Sequence, residues 1–135
     1  MVYALDTNII IHYLKNTPNV VQNLYDAIMR GDDLIIPQIV DYEIKRGFRI
    51  FSAPKKEASY KIFTEEIYCN VAEIDINSWE RAEKVYADLY NKRLTIGELD
   101  ILIAAFCLEN NYTLVTENIK HFKDINELSY VNWNE

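Results

Sequence analysis

The chain has 135 residues, half of them hydrophobic, and a formal net charge of -7 at pH 7. Its length fits one domain over residues 1–135, and three Gly and three Pro are too few for a disordered chain. The negative charge excludes a uniformly basic nucleic-acid-binding domain, although a local basic stripe can still act within an acidic protein.

Short apolar runs alternate with helical patterns along the chain. Strands are predicted at residues 2–5, 34–36, 71–74 and 113–115, with an added edge strand at 130–131. After a first helix, the intervening helices are predicted over 18–30, 37–51, 54 to about 67, 77–92 and 95–111, with a short segment ending at 122. Thr17 is the expected cap of the second helix and Gly31 its expected end. This alternation predicts an α/β fold, a three-layer α/β/α sandwich with a central parallel sheet of four or five short strands.

No segment predicts export, a membrane span or a disulfide framework. The N-terminus has no basic stretch ahead of a long apolar region, and no apolar run approaches the roughly 20 residues of a transmembrane helix. Cys69 and Cys107 lie far apart and lack neighbours at zinc-ligand spacing, so we interpret both as buried reduced thiols. We therefore expect a soluble cytoplasmic protein that does not bind membranes.

Asp6 directly follows the first apolar strand. In an open parallel sheet, ligands gather beyond the carboxyl ends of the strands, so we expect Asp6 to face that crevice. The alternative is that Asp6 only caps the next helix, although Thr7 and Asn8 could serve as caps equally well.

Glu43 is the second candidate for a site at this end of the sheet. It lies near the start of the helix after strand two and borders the buried stripe of that helix. Gly47 lies one turn later, and a mid-helix Gly costs about 1 kcal/mol relative to Ala, so we expect another backbone or a ligand to approach it closely. Asp41 is interpreted as a surface residue.

Asp100 is the strongest candidate. It lies near the start of a helix that is apolar nearly all round, where an ionised group costs several kcal/mol unless it is paired or metal-bound. No Lys or Arg follows it within one turn, and the alternative is a hydrogen-bonded structural Asp. Glu98 is interpreted chiefly as the partner of Thr95 in a capping box at the start of this helix.

Three carboxylates from separate elements would repel one another at one end of the sheet, and a divalent cation would remove that conflict. Oxygen-only ligation favours Mg²⁺ or Mn²⁺ over zinc. We therefore predict that Asp6 and Asp100 hold the ion directly and that Glu43 binds it or orients the attacking water. The implied chemistry is hydrolysis of a phosphodiester by metal-activated water.

The chain resembles the PIN-domain ribonucleases, and among them the VapC toxins of toxin–antitoxin pairs. The resemblance is carried, in the family's order and spacing, by LDTNIIIHYLK, PQIVDYEIKRG, LDILIAA, LVTENIKHF and the C-terminal VNW. It implies a Mg²⁺- or Mn²⁺-dependent endoribonuclease that acts on RNA. It also implies a homodimer and a cognate antitoxin that lays a helix or extended tail into the active-site groove.

By position, the resemblance carries the family's acidic metal-site roles to Asp6, Glu43 and Asp100. The family's polar pair after strand four corresponds to Thr116, expected to position a ligand or phosphate, and Asn118, a further candidate. Where the family often has Asp or Glu, this chain has His121. This departure leaves a second metal ion open, and His121 stays a candidate contact for a phosphate or for water at the metal, as Glu98 does for the site.

Basic residues concentrate one turn beyond Glu43, at Lys45, Arg46, Arg49, Lys55 and Lys56. Three interpretations are open: guidance of an RNA backbone to the metal, reception of an acidic partner, or a solvated helix face. Aromatic residues that could form part of a partner groove are Tyr60, Phe63 and Tyr68.

Two other classes of protein remain open from the sequence. One is a phosphatase of the haloacid dehalogenase type, which would use Asp6 as nucleophile but needs a second Asp two residues on, where this chain has Asn8. The other is a binding domain that keeps the fold and has lost activity through His121. The sequence does not identify the RNA.

Overall fold

The computed structural model describes residues 1–66 and 69–135 and is organised around a parallel sheet. Within these ranges the strands are β1 (Val2–Leu5), β2 (Asp33–Pro37), β3 (Cys69–Ala72), β4 (Thr113–Val115) and β5 (Tyr130–Val131). The helices are α1 (Thr7–Leu14), α2 (Pro18–Arg30), α3 (Gln38–Ile50), α4 (Pro54–Glu65), α5 (Ile76–Asn91), α6 (Glu98–Asn110) and α7 (Ile119–Phe122). The predicted α/β fold with a parallel sheet is confirmed, including the edge strand β5.

The strand order β3-β2-β1-β4-β5 reverses direction at β1. Parallel crossovers are right-handed, so α1 to α4 cover one face of the sheet and α5 to α7 cover the other. The packing agrees, because α1 contacts α2, α3 and α4, whereas α6 contacts α5 and α7. These are the three layers that the sequence predicts.

The carboxyl ends of β1 and β4 lie side by side at the point where the strand order reverses. Leu5 stands opposite Val115, and the next residue, Asp6, donates its backbone N–H to the Val115 carbonyl at 2.9 Å. Such a switch point is the usual ligand-binding position of an open α/β sheet. The first residues beyond the two strands are Asp6 and Thr116, so the topology alone brings them together.

The helix α6 is anchored in the core along almost its whole length. Its Ile103, Ala104 and Ala105 are fully buried, and α6 packs against α5 through the buried face of that helix. Beyond the sheet, α6 also contacts α3. Asp100 lies in the first turn of α6 and Glu43 in the second turn of α3, so this contact brings two carboxylates from distant parts of the chain to the same end of the sheet.

The predicted ends of α2 are confirmed, and the predicted start of α6 is wrong. Thr17 and Gly31 do flank α2, and Gly31 has a φ of 85°, but the Thr17 side chain makes no capping hydrogen bond and its hydroxyl pairs with His12 instead. The capping box of Thr95 and Glu98 is wrong, because α6 begins only at Glu98 with Gly97 as its N-cap. Glu98 is therefore an acidic residue in the first turn, where the helix dipole favours it.

The predicted boundaries of the fourth helix and third strand also move. The helix ends at Glu65, two residues before the predicted end near Ile67, which lies outside the described residues. The strand β3 begins at Cys69, whereas the prediction began at Val71. The strand also ends at Ala72, two residues before the predicted end at Ile74, and Cys69 to Ala72 pair with Leu34 to Pro37 of β2.

The two cysteines are free and buried, as predicted. Burial raises the pKa of the Cys69 thiol to about 12 and raises that of Cys107 as well, so both are protonated and unreactive at neutral pH. In residues 1–66 and 69–135, none of the helices has the length and apolar character needed to cross a membrane.

Candidate functional site

Asp6 is a nearly buried carboxylate, 3% exposed, directly after β1. Its Oδ1 accepts the backbone N–H of Thr7 at 2.8 Å, so it is the N-cap of α1. Its Oδ2 accepts the hydroxyl of Thr116 at 2.7 Å and lies 3.4 Å from Nδ2 of Asn8. Asp6 can therefore both cap α1 and act at a site. Its Oδ1 caps the helix, while its Oδ2 lies between β1 and β4 at the switch point.

Glu43 reaches the same region from α3. Its Oε1 accepts the hydroxyl of Thr7 at 3.0 Å, and Thr7 is the residue after Asp6. Thr7 therefore joins the candidate site, although the sequence indicates it only as an alternative cap. A hydroxyl one residue beyond a candidate carboxylate was the available signal for it.

Asp100 contacts His121 and not a Lys or Arg. The Nδ1 of His121 lies 2.7 Å from Oδ2 of Asp100, and the two side chains are 51% and 20% exposed, respectively. The contact joins the first turn of α6 to α7. Asp100 therefore has a partner, as its position at the start of an apolar helix predicts. That partner is His121, the residue that stands where the PIN-domain pattern often has Asp or Glu.

The three carboxylates lie within electrostatic reach of one another. Burial raises the pKa of Asp6 above its ordinary value, the negative charge of Asp100 raises it further, and hydrogen bonds from Thr116 and Thr7 act in the opposite direction. Burial also raises the pKa of Glu43, and the charges of Asp6 and Asp100 add to that increase. This end of the sheet therefore holds negative charge that is poorly solvated and mutually repulsive.

The donor chemistry of this pocket fits a hard divalent cation. Asp6, Glu43 and Asp100 offer oxygen atoms only, and a cation would offset the burial of charge and the mutual repulsion that raise the pKa values of Asp6 and Glu43. Among the described residues, no three His, Cys, Asp or Glu side chains lie close enough together to form a set of metal ligands. The predicted shared ion thus requires the carboxylates to draw together, and the assignment of these residues stays a prediction.

The loop after β4 supports Asp6. Thr116 is fully buried, and its hydroxyl donates to Asp6 while accepting the backbone N–H of Asn118 at 3.0 Å. The next residue, Glu117, donates its backbone N–H to Oδ1 of Asn8 at 3.1 Å. Thr116 therefore orients a carboxylate, and Asn118 enters the network through its backbone as the N-cap of α7.

The predicted basic residues are divided between two helices, with Lys45, Arg46 and Arg49 on α3 and Lys55 and Lys56 on α4. Arg46 is next to the site, since its charge lowers the pKa of Glu43, and its guanidinium lies 5.1 Å from the centre of the Tyr42 ring. Lys45 pairs with Asp41 at 3.1 Å and, with Arg49, lines a groove of about 620 Å³ between α3 and α4. Glu98 is an exposed residue at the start of α6.

Asp41 is not a surface residue, so that interpretation is wrong. Its side chain is only 14% exposed and accepts the hydroxyl of Tyr60 at 2.7 Å in addition to the Lys45 contact. Tyr60 and Phe63 are buried core residues of α4, Tyr60 also lines the groove between α3 and α4, and Tyr68 lies outside the described residues. The position of Asp41 outside the apolar stripe of α3 predicts exposure only when no second helix packs over it, and α4 does so through Tyr60.

An apolar groove of about 240 Å³ begins at Thr7 and Glu43 and runs between α1 and α3. Its walls include Ile11, Leu14, Ile44, Gly47, Phe48 and Phe51, and its lining also includes Lys15 and Lys56. No atom outside its own helix backbone and chain neighbours lies within 4 Å of a Cβ built on Gly47. The chain itself therefore makes no close approach at Gly47, which instead leaves open space in the groove.

Comparisons with known proteins agree with this geometry. The PIN domain family model matches residues 3–128. Ribonuclease VapC2 of Rickettsia felis is 30% identical over 138 residues, which cover 100% of both chains, and Ribonuclease VapC1 of Haemophilus influenzae strain R2866 is 30% identical over 136 residues, or 98% of each.

Solved structures of VapBC proteins are also similar to this chain. The structure of VapBC2 from Rickettsia felis bound to a DNA fragment from their promoter has a TM-score of 0.90 at 29% identity, covering 98% of this chain and 99% of that one. VapBC-1 from nontypeable Haemophilus influenzae has a TM-score of 0.87 at 28% identity, covering 100% of both chains. The similarity thus extends over the whole sheet and all the elements that carry the candidate site.

Proposed function

The chain belongs to the PIN domain family, and on that premise we propose that it is a divalent-metal-dependent endoribonuclease, the toxin of a type II toxin–antitoxin pair. The observation that carries the proposal is the buried Asp6 at the switch point, whose pKa is raised by burial and by the charge of Asp100. Burying a carboxylate destabilises the folded protein, and groups with such shifted pKa values are concentrated at functional sites. A buried carboxylate at a ligand-binding edge of the sheet is therefore a candidate for function.

In this proposal Asp6 and Asp100 hold the cation, and Glu43 binds it or orients the attacking water. A bound Mg²⁺ or Mn²⁺ would make a water molecule easier to deprotonate, and so a better nucleophile toward a phosphodiester, and would offset negative charge on the phosphate. Thr116 keeps the Asp6 carboxylate oriented, and Thr7 does the same for Glu43. Burial and the neighbouring negative charges raise the pKa of Glu43, which makes its carboxylate a stronger proton acceptor for a water at the site.

Incubation of RNA with the purified protein tests this proposal. We expect cleavage in Mn²⁺, none in EDTA, and product ends without a 2′,3′-cyclic phosphate, because an external water and not the neighbouring 2′-hydroxyl attacks. Cleavage that persists in EDTA or leaves cyclic ends contradicts the mechanism. Absence of both cleavage and Mn²⁺ binding favours the binding domain that has lost activity. Sequencing the cut ends identifies the RNA and the cleavage site.

The phosphatase alternative has no support in the site. The residue two positions after Asp6 is Asn8, whose side-chain amide faces Asp6 and whose carbonyl oxygen accepts the Glu117 backbone N–H. That position is where the phosphatase would need its second Asp, and an amide held on both sides cannot serve as a general acid or base. Membership of the PIN family points the same way.

The partner in this proposal is a cognate antitoxin, whose segment would occupy the apolar groove between α1 and α3. The groove opens at Glu43, and exposed apolar residues extend it, with Phe51 71% and Ile11 40% exposed. Lys15 and Lys56 favour an occupant that adds acidic side chains to its apolar face. The relatives solved as VapBC complexes support such a partner. A homodimer and a cytoplasmic location belong to the same proposal as predictions.

Gly47 gives a direct test of the groove. Gly47→Ala should increase the free energy of unfolding by about 0.5–1 kcal/mol, because Ala is the better helix former and its methyl group meets no atom of the chain. Gly47→Leu should weaken antitoxin binding at least about 10-fold by filling the groove. Thermal melting and titration of the antitoxin measure the two effects. Unchanged antitoxin affinity for Gly47→Leu would place the antitoxin elsewhere.

A further inference from the structure

The C-terminal segment, residues 130–134, is fixed against the body of the protein. Its strand β5 pairs with β4, and the Val131 carbonyl accepts the backbone N–H of Thr116 at 2.9 Å. Trp133 is buried, packs edge-on against Tyr3 with ring centres 5.1 Å apart, and accepts a hydrogen bond from Asn23 at 3.0 Å through its carbonyl. The segment therefore offers a rigid anchor beside the loop that carries Thr116.

One carboxylate joins this anchor to α1. Oε2 of Glu117 lies 2.7 Å from Nε2 of His12 and accepts a hydrogen bond from Nδ2 of Asn134 at 2.8 Å. His12 is itself held at its other ring nitrogen, which lies 3.0 Å from the Thr17 hydroxyl. Glu117 thus contacts two elements distant in sequence, one 105 positions before it on α1 and one 17 positions after it in the C-terminal segment.

The backbone of Glu117 belongs to the candidate site although its side chain is bound elsewhere. Its N–H donates to Asn8, whose amide faces Asp6, and the residue before it is Thr116, which donates to Asp6. The side chain is held by His12 and Asn134. A carboxylate engaged in this way is not available to the cation, but it fixes the loop on which two of the Asp6 contacts depend.

We propose that Glu117 is a positioning residue, which clamps the loop 116–118 between His12 and Asn134 and thereby orients the Asp6 carboxylate for cation binding. This inference rests on the proposed function for its metal. Partners that orient a metal ligand typically change metal affinity or activity by about 10–100-fold when they are removed. A surface ion pair without such a role contributes little to any measurement.

The chain offers a matched control for Glu117. Glu109 pairs with Arg81 across α5 and α6 at 3.2 Å, and its side chain is 31% exposed, compared with 37% for Glu117. Glu109 is distant from the loop after β4 in the fold, at the end of α6 opposite Asp100. Removing either carboxylate changes the net charge by the same amount. The two variants therefore differ in whether the contacts with His12 and Asn134 are lost.

The test compares Glu117→Ala, Glu117→Gln and Glu109→Ala in the full chain. Mn²⁺ titration by calorimetry should give a dissociation constant about 10-fold higher for Glu117→Ala, and a nearly unchanged one for the other two variants. The Gln variant has no charge but keeps an oxygen that can accept a hydrogen bond from Asn134. If Mn²⁺ affinity is retained in this variant, the position of the side chain and not its charge is responsible. Amide hydrogen exchange should become faster at residues 116–118 in Glu117→Ala and stay unchanged in Glu109→Ala.

The outcomes separate this inference from the proposed function. Mn²⁺ affinity and exchange that are equal in Glu117→Ala and Glu109→Ala overturn the clamp while leaving the nuclease proposal intact. If Glu117→Gln weakens Mn²⁺ binding as much as Glu117→Ala, charge and not position is responsible, which also overturns it. If the unmodified protein binds no Mn²⁺, the proposed function fails, and the role of Glu117 in orienting a metal ligand fails with it, whatever the exchange rates.

Discussion

Asp100→Asn should reduce Mn²⁺-dependent RNA cleavage by more than about 100-fold while leaving the circular dichroism spectrum unchanged, because a metal ligand should cost more than the 10–100-fold of the residues that support it. The amide keeps the shape of the side chain and an oxygen that can accept from His121. It removes the negative charge that raises the pKa values of Asp6 and Glu43 and that would hold the cation. Folding should therefore survive a change that ends catalysis.

A control for this variant is available on α5. Asp88 forms an exposed ion pair with Lys92 at 2.9 Å, one turn apart on the same helix and away from the sheet edge. Asp88→Asn should cleave RNA at the rate of the unmodified protein. Equal cleavage by Asp100→Asn and Asp88→Asn, with contaminating nuclease excluded by a second purification, would remove Asp100 from the proposed mechanism.

Glu43→Gln should abolish cleavage and at the same time stabilise the metal-free protein. The raised pKa of Glu43 means that its ionised form is less favourable in the folded chain than in the unfolded one. Gln carries no charge and can still accept the Thr7 hydroxyl, so the variant is relieved of this cost. We expect a melting temperature a few degrees higher in EDTA. An exposed residue in the middle of α5 serves as control, since Glu83→Gln should change neither property.

The gain in stability should depend on pH in a defined direction. Below the unfolded value, near 4.5, Glu43 is protonated in both states and the substitution has its smallest effect. As the pH rises through the higher folded value, the unmodified protein loses stability relative to Glu43→Gln. Thermal melts in EDTA from about pH 4 to 7.5 should therefore show a widening difference. A difference that narrows with rising pH would mean that Glu43 is stabilised and not strained in the metal-free fold.

The parts of the molecule that depend on local pattern were predictable from the sequence. Alternating apolar strands and helices predict the parallel sheet, and Asp6 after the first strand predicts a residue at its carboxyl edge. The apolar helix from Ile101 onwards predicts that Asp100 is held at the edge of the core, where α6 indeed begins. Each of these features depends on residues that are neighbours in the sequence.

Features that depend on contacts between distant elements were not predictable. The partner of Asp100 is His121 on α7, and the partners of Glu117 are His12 and Asn134, none of which lies within one helical turn. The burial of Asp41 follows from the packing of α4 over α3. Periodicity reports which face of a helix is apolar, but it does not report which other element covers the polar residues at the border of that face.

The most direct test of a shared cation is to locate Mn²⁺ by anomalous X-ray scattering from crystals of the protein grown or soaked with the metal. We expect one strong anomalous peak within coordination distance of carboxylate oxygens of Asp6 and Asp100, with Glu43 bound directly or through one water. A peak held by other residues, or no peak at this edge of the sheet at saturating Mn²⁺, would contradict the proposal that these three side chains act on a single ion.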